Sequence, residues 1–431
     1  MLPCSRGLRP RIARAHLRGR LMNILAIESS CDETACAVIR DGTEIVSNVI
    51  ASSTAMHEKW GGIVPEVAAR EQLVSIIPVL TEALSCFSHT SKKSLALSTK
   101  LSFKEIIMRY VDAIAVTVGP GLIGSLLIGV EAAKTIAFIT GKPIIPVNHV
   151  LAHIYGNFLS FARPRLAKLN NQNIRFPAIS LVVSGGHTEL FLMKSEKDMK
   201  WLGGTIDDAA GEAFDKTARL LGFGSRGGLA IQEAAKTHNC HCDPAKGGRS
   251  NLYNKDRHAS LAMTKKQKTI SFPRPMMYDE TLNFSFSGLK TAVMREVNKL
   301  KTNQQPASRR GADASSPRVE AGRSGLNKEL IEQLSFELQE AITDVLVAKT
   351  MKAAELYHAK SILISGGVAS NEQLRNKFIL TMEQCNNVTI VMPPASLCTD
   401  NAAFIGSYAY FRGVQEDWHT ITAIPDLPVE E

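Results

Sequence analysis

His149 and His153 form the pattern in this sequence best suited to metal chemistry. They are four residues apart at the start of a predicted helix, so both imidazoles lie on one face. The residues between them are Val-Leu-Ala, and the pair therefore lacks the glutamate of the HExxH zinc-protease motif. Asp400, in the stretch LCTDN at a later helix start, is a candidate third ligand. Two His and one Asp would leave coordination positions open for substrate; a purely structural His pair is the alternative.

Three turns that follow apolar strands indicate a ligand that carries phosphate. The sequence SGGH at residues 184–187 follows a predicted strand at 179–183, and SGG at 365–367 follows another at 361–364. A third strand, at 23–28, runs into SSCDET. Glycines at such turns let the backbone approach a ligand, and successive N–H groups can surround a phosphate. One such turn could be an ordinary tight turn, but three predict a duplicated α/β fold around a nucleotide cleft.

The stretch GPGLIG at residues 119–124 matches the dinucleotide-binding pattern GxGxxG between a strand and a helix. The acid expected about 20 residues later is absent, because residues 139–142 read ITGK. No Lys-Ser/Thr pair of a Walker loop is present either. We therefore interpret these glycines as close helix–strand packing and not as an NAD site.

Asp215, in the stretch GEAFDK, lies on a predicted helix whose other face is apolar. The acids Asp207, Asp208 and Glu212 flank the same turns, and such a group would suit the hydroxyls of a ribose. A solvated helix face is the alternative.

The elements that position these residues alternate strands with helices, which predicts an α/β fold. A chain of 431 residues corresponds to roughly two or three domains. Apolar residues at 45% and charged residues at 21% are typical of a folded protein. The longest apolar stretch, 122–139, is interrupted by Glu131 and Lys134, so we expect no membrane span.

The net charge of +9 is concentrated at the beginning of the chain. Residues 1–22 contain six arginines and no acid; without them, 44 basic and 41 acidic residues leave +3. Such a segment is typical of a mitochondrial transit peptide and predicts a matrix protein; a disordered start is the alternative.

Cys240 and Cys242 bracket His241, which could form a metal cluster. No second Cys/His pair follows at zinc-finger spacing, so the sequence does not favour a zinc site there.

Two segments have the composition of insertions. Residues 238–270 are polar and basic, and residues 301–326 contain almost no large apolar residue, which predicts a disordered linker. Basic residues in the first segment could contact a nucleic-acid backbone, and a solvated basic loop is the alternative. These residues are Lys255, Arg257, Lys265, Lys266 and Lys268.

Nine motifs occur in order between about residues 23 and 410 and carry a family resemblance. They are ILAIESSCDETACAVI, KWGGIVPEVAAR, VGPGLIGSLLIGVEAAKTIA, PVNHVLAH, LVVSGGHTEL, DDAAGEAFDKTARLLG, FSFSGLKTA, LISGGVASN and CTDNAAFIG. Together they resemble the tRNA N6-adenosine threonylcarbamoyltransferase family, specifically its mitochondrial members.

The resemblance implies a duplicated fold like that of actin, sugar kinases and heat-shock ATPases, with two lobes around a nucleotide cleft. It implies an N-terminal lobe at 23–150, a C-terminal lobe at 151–410 with both insertions, and a tail at 411–431. The family transfers threonylcarbamoyl from its adenylate to the exocyclic amine of adenosine 37 in tRNAs that read codons starting with A.

The family's site residues fall on named positions of this chain. Its divalent metal, Zn or Fe, would be held by His149, His153 and Asp400, which we also expect to be the catalytic residues. Its adenylate contacts are expected at Val183, Ser184, Gly185, Gly186, His187, Asp215, Gly228 and Asn371.

Partners and alternatives follow from the same resemblance. We expect tRNA as acceptor, threonylcarbamoyl-AMP made by a separate synthase, and self-association as a homodimer. A metal-dependent peptidase and a kinase or ATPase of the same fold are the alternative functions, although the peptidase lacks a general-base glutamate beside the ligands.

Three features of the sequence depart from the family pattern. Residues 225–229 read SRGGL where YPGGP is usual, Gln232 replaces an acid that binds ribose in some relatives, and Gln72 replaces a common histidine. No departure removes an expected metal ligand.

Overall fold

The computed structural model describes residues 21–57, 60, 62–90, 102–161, 174–224, 227–241, 270–304, 325–384 and 388–429. These residues form two β-sheets with helices on their faces. The predicted α/β class is therefore confirmed.

The first sheet has six strands. They are β1 Asn23–Glu28, β2 Glu33–Arg40, β3 Glu44–Ser52, β4 Ala113–Gly119, β5 Ile144–Asn148 and β6 Ser160–Phe161. Their order is β5-β4-β1-β2-β3-β6; β1 to β3 form an antiparallel meander, and β4 and β5 extend the sheet in parallel beside β1. β4 is buried along its whole length, as a central parallel strand covered on both faces should be.

The second sheet has five strands. They are β7 Ala178–Val183, β8 Thr188–Met193, β9 Met199–Gly204, β10 Ser361–Ser365 and β11 Thr389–Val391. Their order is β11-β10-β7-β8-β9, with β7 to β9 antiparallel and β10 and β11 parallel beside β7. This arrangement repeats that of β5-β4-β1-β2-β3, so the predicted duplication is confirmed by the strand order.

The helices of the described chain cover both sheets. They are α1 Thr54–His57, α2 Pro65–Thr90, α3 Phe103–Tyr110, α4 Ile123–Thr140, α5 His149–Ile154, α6 Ala210–Leu220, α7 Gly227–His241, α8 Ser287–Gln304, α9 Lys328–Leu356, α10 Glu372–Gln384 and α11 Ala402–Arg412. α5 begins sharply because the Asn148 side chain accepts hydrogen bonds from the backbone N–H groups of Val150 and Leu151.

The central core lies between the two sheets. Ala26 of the first sheet, Val182 of the second, Leu151 of α5 and Phe404 of α11 belong to one cluster of buried apolar residues. Separate clusters cover the outer face of each sheet. α5 and α11 are therefore the helices that join the two halves.

The predicted boundaries of the lobes, at residues 150 and 410, need correction. α5 crosses the first boundary, and β6 beyond it pairs with β3 of the first sheet. α11 packs on β1 and β2, and Ser407 Oγ donates a hydrogen bond to the Gly42 carbonyl at 2.6 Å. The chain thus returns to the first half before it ends, which a helical pattern cannot reveal because it does not show which sheet the helix covers.

The ends of both predicted insertions are ordered. α7 continues through His241, and Ile270 is buried in the core, within the predicted loop 238–270. α8 continues through Gln304, and Leu326 is buried, within the predicted linker 301–326. Residues 242–269 and 305–324, with the five basic residues named above and Cys242, lie outside the described residues, as do residues 1–20.

The predicted tail is anchored along the first half of the molecule. α11 extends to Arg412, and we call residues 414–429 the C-terminal strap. The backbone N–H of Glu416 donates to the Ile144 carbonyl at 3.0 Å, and that of Ile424 to the Val118 carbonyl at 2.7 Å. Apolar packing adds to these bonds, because Ile421 is buried in the outer core of the first half and Trp418 and Leu427 pack against it.

Among the described residues, α4 is the one helix with the length and composition to cross a membrane. Its inner residues, such as Leu126 and Val130, are buried against the first sheet and α2. A core helix passes the same test, so the expectation of no membrane span stays a prediction.

Candidate functional site

The structure brings His149, His153 and Asp400 together although Asp400 is distant in sequence. Asp400 Oδ1 lies 3.6 Å from His149 Nε2 and 3.4 Å from His153 Nε2. One ligand atom from each residue lies within 4.8 Å of the other two. α5 supplies both histidines and the loop before α11 supplies the aspartate, so the site lies where the chain crosses between the two halves.

Glu28, at the end of β1, controls the orientation of His149. The side chain is completely buried, and its Oε2 lies 3.0 Å from His149 Nδ1 while accepting a hydrogen bond from Thr117 Oγ1 at 2.5 Å. Burial raises the pKa of Glu28, but the charge of His149 and its hydrogen bond outweigh this effect and lower it. The carboxylate therefore keeps a proton on Nδ1 and leaves Nε2 facing Asp400, as in carboxylate–histidine–metal arrangements.

The environment of His153 fits a metal ligand. Its side chain is buried, Nδ1 has no hydrogen-bond partner, and Nε2 lies 3.4 Å from Asp400 Oδ1 without a well-formed hydrogen bond. A buried imidazole without a partner is costly unless another species binds it. Two imidazole nitrogens and a carboxylate are a donor set that suits Zn²⁺ or Fe²⁺. The residues present thus fit the divalent metal expected from the sequence.

The charges of the three side chains are strongly coupled. Burial lowers the pKa of His149, but Glu28 and Asp400 outweigh it and raise that pKa to about 9. Burial raises the pKa of Asp400, but His149 and His153 outweigh it and lower that pKa to about 2. Asp400 is consequently ionised at neutral pH and available as a ligand.

Asp32 and Glu33, in the turn between β1 and β2, add two acids near this centre that the sequence reasoning did not select. Burial, together with the charges of Asp400 and Asp32, raises the pKa of Glu33 to about 9. Gln72 Nε2 holds this turn by donating to the carbonyls of Cys31 at 2.8 Å and Glu33 at 3.0 Å. The acid Glu28 at the end of the buried strand β1 was the feature of the sequence that could have predicted this cluster of acids.

The two SGG turns lie side by side because β7 and β10 are parallel neighbours. A Cβ on Gly366 would meet the Val183 carbonyl oxygen at 2.3 Å, so the second turn packs on the end of β7. By contrast, a Cβ on Gly185, Gly186 or Gly367 would meet nothing within 4 Å. The backbone at these three positions is therefore open to a ligand.

The first turn is braced by α6 and reaches the metal ligands. The Ser184 N–H donates to the His187 carbonyl at 2.8 Å, and the Gly211 N–H of α6 to the Ser184 carbonyl at 3.2 Å. Burial lowers the pKa of His187 to about 4, and the nearby His149 and His153 contribute to this shift. His187 is thus neutral, and it brings the first SGG turn close to the metal-ligand candidates.

Asp215 and Gly228 meet, although they lie on α6 and α7. The backbone N–H groups of Gly227 and Gly228 donate to the Asp215 carboxylate; burial nevertheless raises its pKa. A Cβ on Gly227 would lie 2.7 Å from Asp215 Oδ1, which explains a glycine there. Residues 225–226 of the atypical SRGGL stretch lie outside the described residues.

Asn371 lies at the end of the second turn, but its side chain has structural partners. Its Nδ2 donates to Gln339 Oε1 and its Oδ1 caps α10 at the Leu374 N–H, both at 3.0 Å. Gln232 Oε1 accepts from the Glu372 N–H at 2.8 Å. Gln232 therefore connects α7 to α10 in this chain.

The other acids near α6 do not form the predicted ribose-binding group. Asp207 accepts hydrogen bonds from Ser285, Ser287 and the Phe286 N–H at the start of α8. Asp208 and Glu212 both pair with Lys216. The partners of Asp207 lie far along the chain, which sequence spacing does not show, whereas Glu212 forms an i,i+4 pair within α6. Asp215 instead accepts hydrogen bonds from glycine N–H groups at the start of α7.

The packing interpretation of the GPGLIG stretch is confirmed by its contacts. A Cβ on Gly119 would lie 1.9 Å from the Ile424 carbonyl oxygen of the strap, and one on Gly121 would lie 2.5 Å from that of Ser30. A Cβ on Gly124 would lie 3.2 Å from the Ala69 Cβ of α2. These glycines let three segments approach the β4–α4 turn.

Comparisons with known proteins show which family this sequence resembles. A model of the tRNA N6-adenosine threonylcarbamoyltransferase family matches residues 44–407. The protein of that name from Thermomicrobium roseum is 42% identical over 399 residues, covering 92% of this chain and 94% of its own. That from Moorella thermoacetica is 40% identical over 409 residues, covering 94% and 97%. Among solved structures, full-length HypF in its phosphate- and nucleotide-bound form gives a TM-score of 0.49 at 10% identity, over 90% of this chain and 46% of that one.

Proposed function

We infer the function of this chain from one premise: it belongs to the tRNA N6-adenosine threonylcarbamoyltransferase family. We propose that it transfers the threonylcarbamoyl group of threonylcarbamoyl-AMP to the exocyclic amine of adenosine 37 in tRNAs that read codons starting with A. The observation that carries the proposal is that the family match spans both halves of the molecule and all three residues of the His149–His153–Asp400 triad.

The reaction demands positioning more than strong acid or base catalysis. A bond forms between the amine nitrogen and the carbamoyl carbon, and the carbon–oxygen bond to phosphate breaks. AMP leaves with the electron pair of that bond, and the amine releases one proton to solvent. The open turns at Gly185–Gly186 and Gly367, with Asp215 and Gly228, would hold the AMP portion and keep the donor oriented. A metal held by the triad would supply Lewis-acid stabilisation of negative charge on the carbamoyl and phosphate oxygens.

Glu28 and Glu33 do not favour the peptidase alternative. Glu28 is fully buried and engaged by His149 and Thr117, so it is not placed to activate water. Burial and the neighbouring carboxylates raise the pKa of Glu33, which favours its protonated form over the ionised form that a general base requires.

The product assay tests the function directly. The protein is incubated with threonylcarbamoyl-AMP, divalent metal and an unmodified tRNA transcript, and digested nucleosides are analysed by mass spectrometry. We expect threonylcarbamoyladenosine from the wild type and none from His149→Ala. A folded protein that binds neither AMP nor the donor, or that instead hydrolyses ATP or a peptide, would overturn the proposal.

We propose that the donor comes from a separate synthase, since no sequence motif here would make the adenylate. The same assay with threonine, bicarbonate and ATP in place of the donor should give no product until a threonylcarbamoyl-AMP synthase is added. Product without the synthase would contradict this proposal.

We propose Zn²⁺ or Fe²⁺ as the metal, because the triad offers two imidazoles and one carboxylate. Metal analysis of protein purified without chelator should find about one equivalent of one of them per chain, and less in Asp400→Asn. Equal metal content in the variant would contradict the assignment.

We propose a mitochondrial location on the strength of the six arginines and absent acids in residues 1–22. A fluorescent protein carrying residues 1–22 should be imported into mitochondria, whereas the same segment with all six arginines changed to glutamine should not. Cytosolic retention of the unaltered fusion would count against this location.

We propose a homodimer formed through the exposed apolar face of α2 and α4. Leu73 is 63% exposed, Val74 is 71% and Ile77 is 62%, and Leu127 of the adjoining α4 is 42%. A cluster of this kind is typical of a protein–protein interface. Light scattering should show a dimer that Val74→Glu converts to monomer and that Leu356→Glu, on an exposed site of α9, does not. A monomeric wild type would refute the proposal.

A further inference from the structure

A cavity of about 500 Å³ lies between the C-terminal strap and the β4–α4 turn. Pro120 lines one side, and Pro425, Asp426, Leu427 and Pro428 of the strap line another. The volume is within the usual range for small-ligand sites. Apart from His187, the residues that line this cavity do not belong to the expected metal or adenylate contacts.

The strap wall of this cavity is fixed by specific hydrogen bonds. The Gly121 N–H donates to the Pro425 carbonyl and Asn148 Nδ2 donates to the Pro428 carbonyl, both at 3.0 Å. Asn148 is also the residue that caps α5, directly before the metal ligand His149. The strap is therefore tied to the element that carries the metal ligands.

His187 connects the cavity with the reacting groups. It lines the cavity and is also part of the first SGG turn, close to His149 and His153. A ligand in the cavity would thus lie beside a donor held on that turn. This is the position that the acceptor must occupy for attack on the carbamoyl carbon.

The chemistry of the walls selects the acceptor over the donor. Prolines and leucine offer apolar surfaces, and the single charged lining group is the carboxylate of Asp426. The donor brings a phosphate and a threonine carboxylate, both of which Asp426 would repel. An adenine is neutral and planar, and its exocyclic amine donates hydrogen bonds.

We propose that this cavity receives the acceptor adenine, extruded from the anticodon loop, with Asp426 accepting a hydrogen bond from the exocyclic amine that is modified. The inference rests on the proposed function and adds the strap to its site. Enzymes that modify a base commonly take it out of the stack and read its edge with polar groups between apolar walls. Asp426 acts here as a positioning residue, and the strap supplies selectivity for the base.

The test compares two anticodon stem-loop RNAs, one with adenine and one with purine, which lacks the amine, at position 37. The full-length wild type should bind the adenine RNA roughly five- to tenfold more tightly, the size of one hydrogen bond. Asp426→Ala should remove this preference, while Asp198→Ala, an exposed acid on the turn after β8, should keep it. The ratio of the two RNA affinities is decisive, because loss of a negative charge alone would strengthen the binding of both RNAs equally.

AMP affinity and metal content separate this inference from the proposed function. The AMP affinity and the metal content should be unchanged in Asp426→Ala. The wild type should make threonylcarbamoyladenosine, as the proposed function requires. Retention of the adenine preference in Asp426→Ala overturns the inference. Weaker binding of threonylcarbamoyl-AMP with unchanged RNA selectivity also overturns it, by assigning the cavity to the donor. A wild type that makes no product would refute the proposed function instead.

Discussion

Among single residues, Glu28 has the largest influence on the metal site, because it determines which nitrogen of His149 carries the proton. Its buried carboxylate holds His149 Nδ1, and only Nε2 remains to face Asp400. Spacing predicted the His pair, since four residues on a helix define one face. It could not predict Glu28, because the 121-residue separation between Glu28 and His149 is closed only by the pairing of β1, β4 and β5.

Glu28→Gln should weaken metal binding by roughly 10- to 100-fold, the usual cost of losing a group that orients a ligand. The amide keeps the size of the side chain but loses the charge that fixes the Nδ1 proton. Titration of metal-free protein with Zn²⁺ measures the effect, with Glu66→Gln on exposed α2 as control. Equal affinity in wild type and Glu28→Gln would show that the carboxylate does not orient His149.

Glu33 should give the metal-free protein a distinct pH dependence. Its pKa is raised from 4.5 to about 9 on folding, so its proton is retained in the folded state and lost from the unfolded state between these values. The stability it contributes is complete below pH 4.5 and is lost as pH rises toward 9. Thermal unfolding between pH 5 and 9 should show a smaller decline for Glu33→Gln than for wild type. Parallel curves would contradict the raised pKa.

The elements that the sequence predicted well are those whose pattern is set by burial. The apolar runs of β1, β4, β7 and β10 and the turns after them were expected because strands covered on both faces must be apolar. By contrast, β9, which reads MKWLGG, is only partly buried, and its pairing with β8 holds it in the sheet. The C-terminal strap is fixed by backbone bonds and by isolated apolar residues such as Ile421, which do not form a continuous apolar run in the sequence.

Gly119→Ala should displace the C-terminal strap. The added Cβ would lie 1.9 Å from the Ile424 carbonyl oxygen, and overpacking of this kind costs about 1–3 kcal/mol. Denaturant unfolding measures the loss, and limited proteolysis should cut the strap sooner. Gly288→Ala is the control, since nothing lies within 4 Å of its Cβ. Equal stability of the two variants would mean that the strap is not seated on Gly119.

The whole molecule is two similar halves joined at one buried centre. The duplication was predictable from the repeated strand–SGG pattern, but the return of α11 to the first sheet was not. Because α5 leaves the first half and the loop before α11 leads back to it, the triad ties both crossings together.

Metal binding should therefore stabilise the complete fold. At a free metal concentration of 100 times its Kd, the gain is about 2.7 kcal/mol. Calorimetry should show a higher unfolding temperature with Zn²⁺ for wild type and Asp198→Asn, and little change for Asp400→Asn. An equal rise in all three proteins would place the bound metal elsewhere.

The most direct measurement restores metal to metal-free protein during the transfer reaction. Threonylcarbamoyladenosine is quantified with saturating threonylcarbamoyl-AMP and tRNA while Zn²⁺ or Fe²⁺ is added stepwise. We predict negligible product without metal, full activity near one equivalent per chain, and at least ~100-fold less product from Asp400→Asn than from Asp198→Asn. Full activity without metal, or equal activity of the two variants, would contradict the assignment of His149, His153 and Asp400 as the catalytic metal centre.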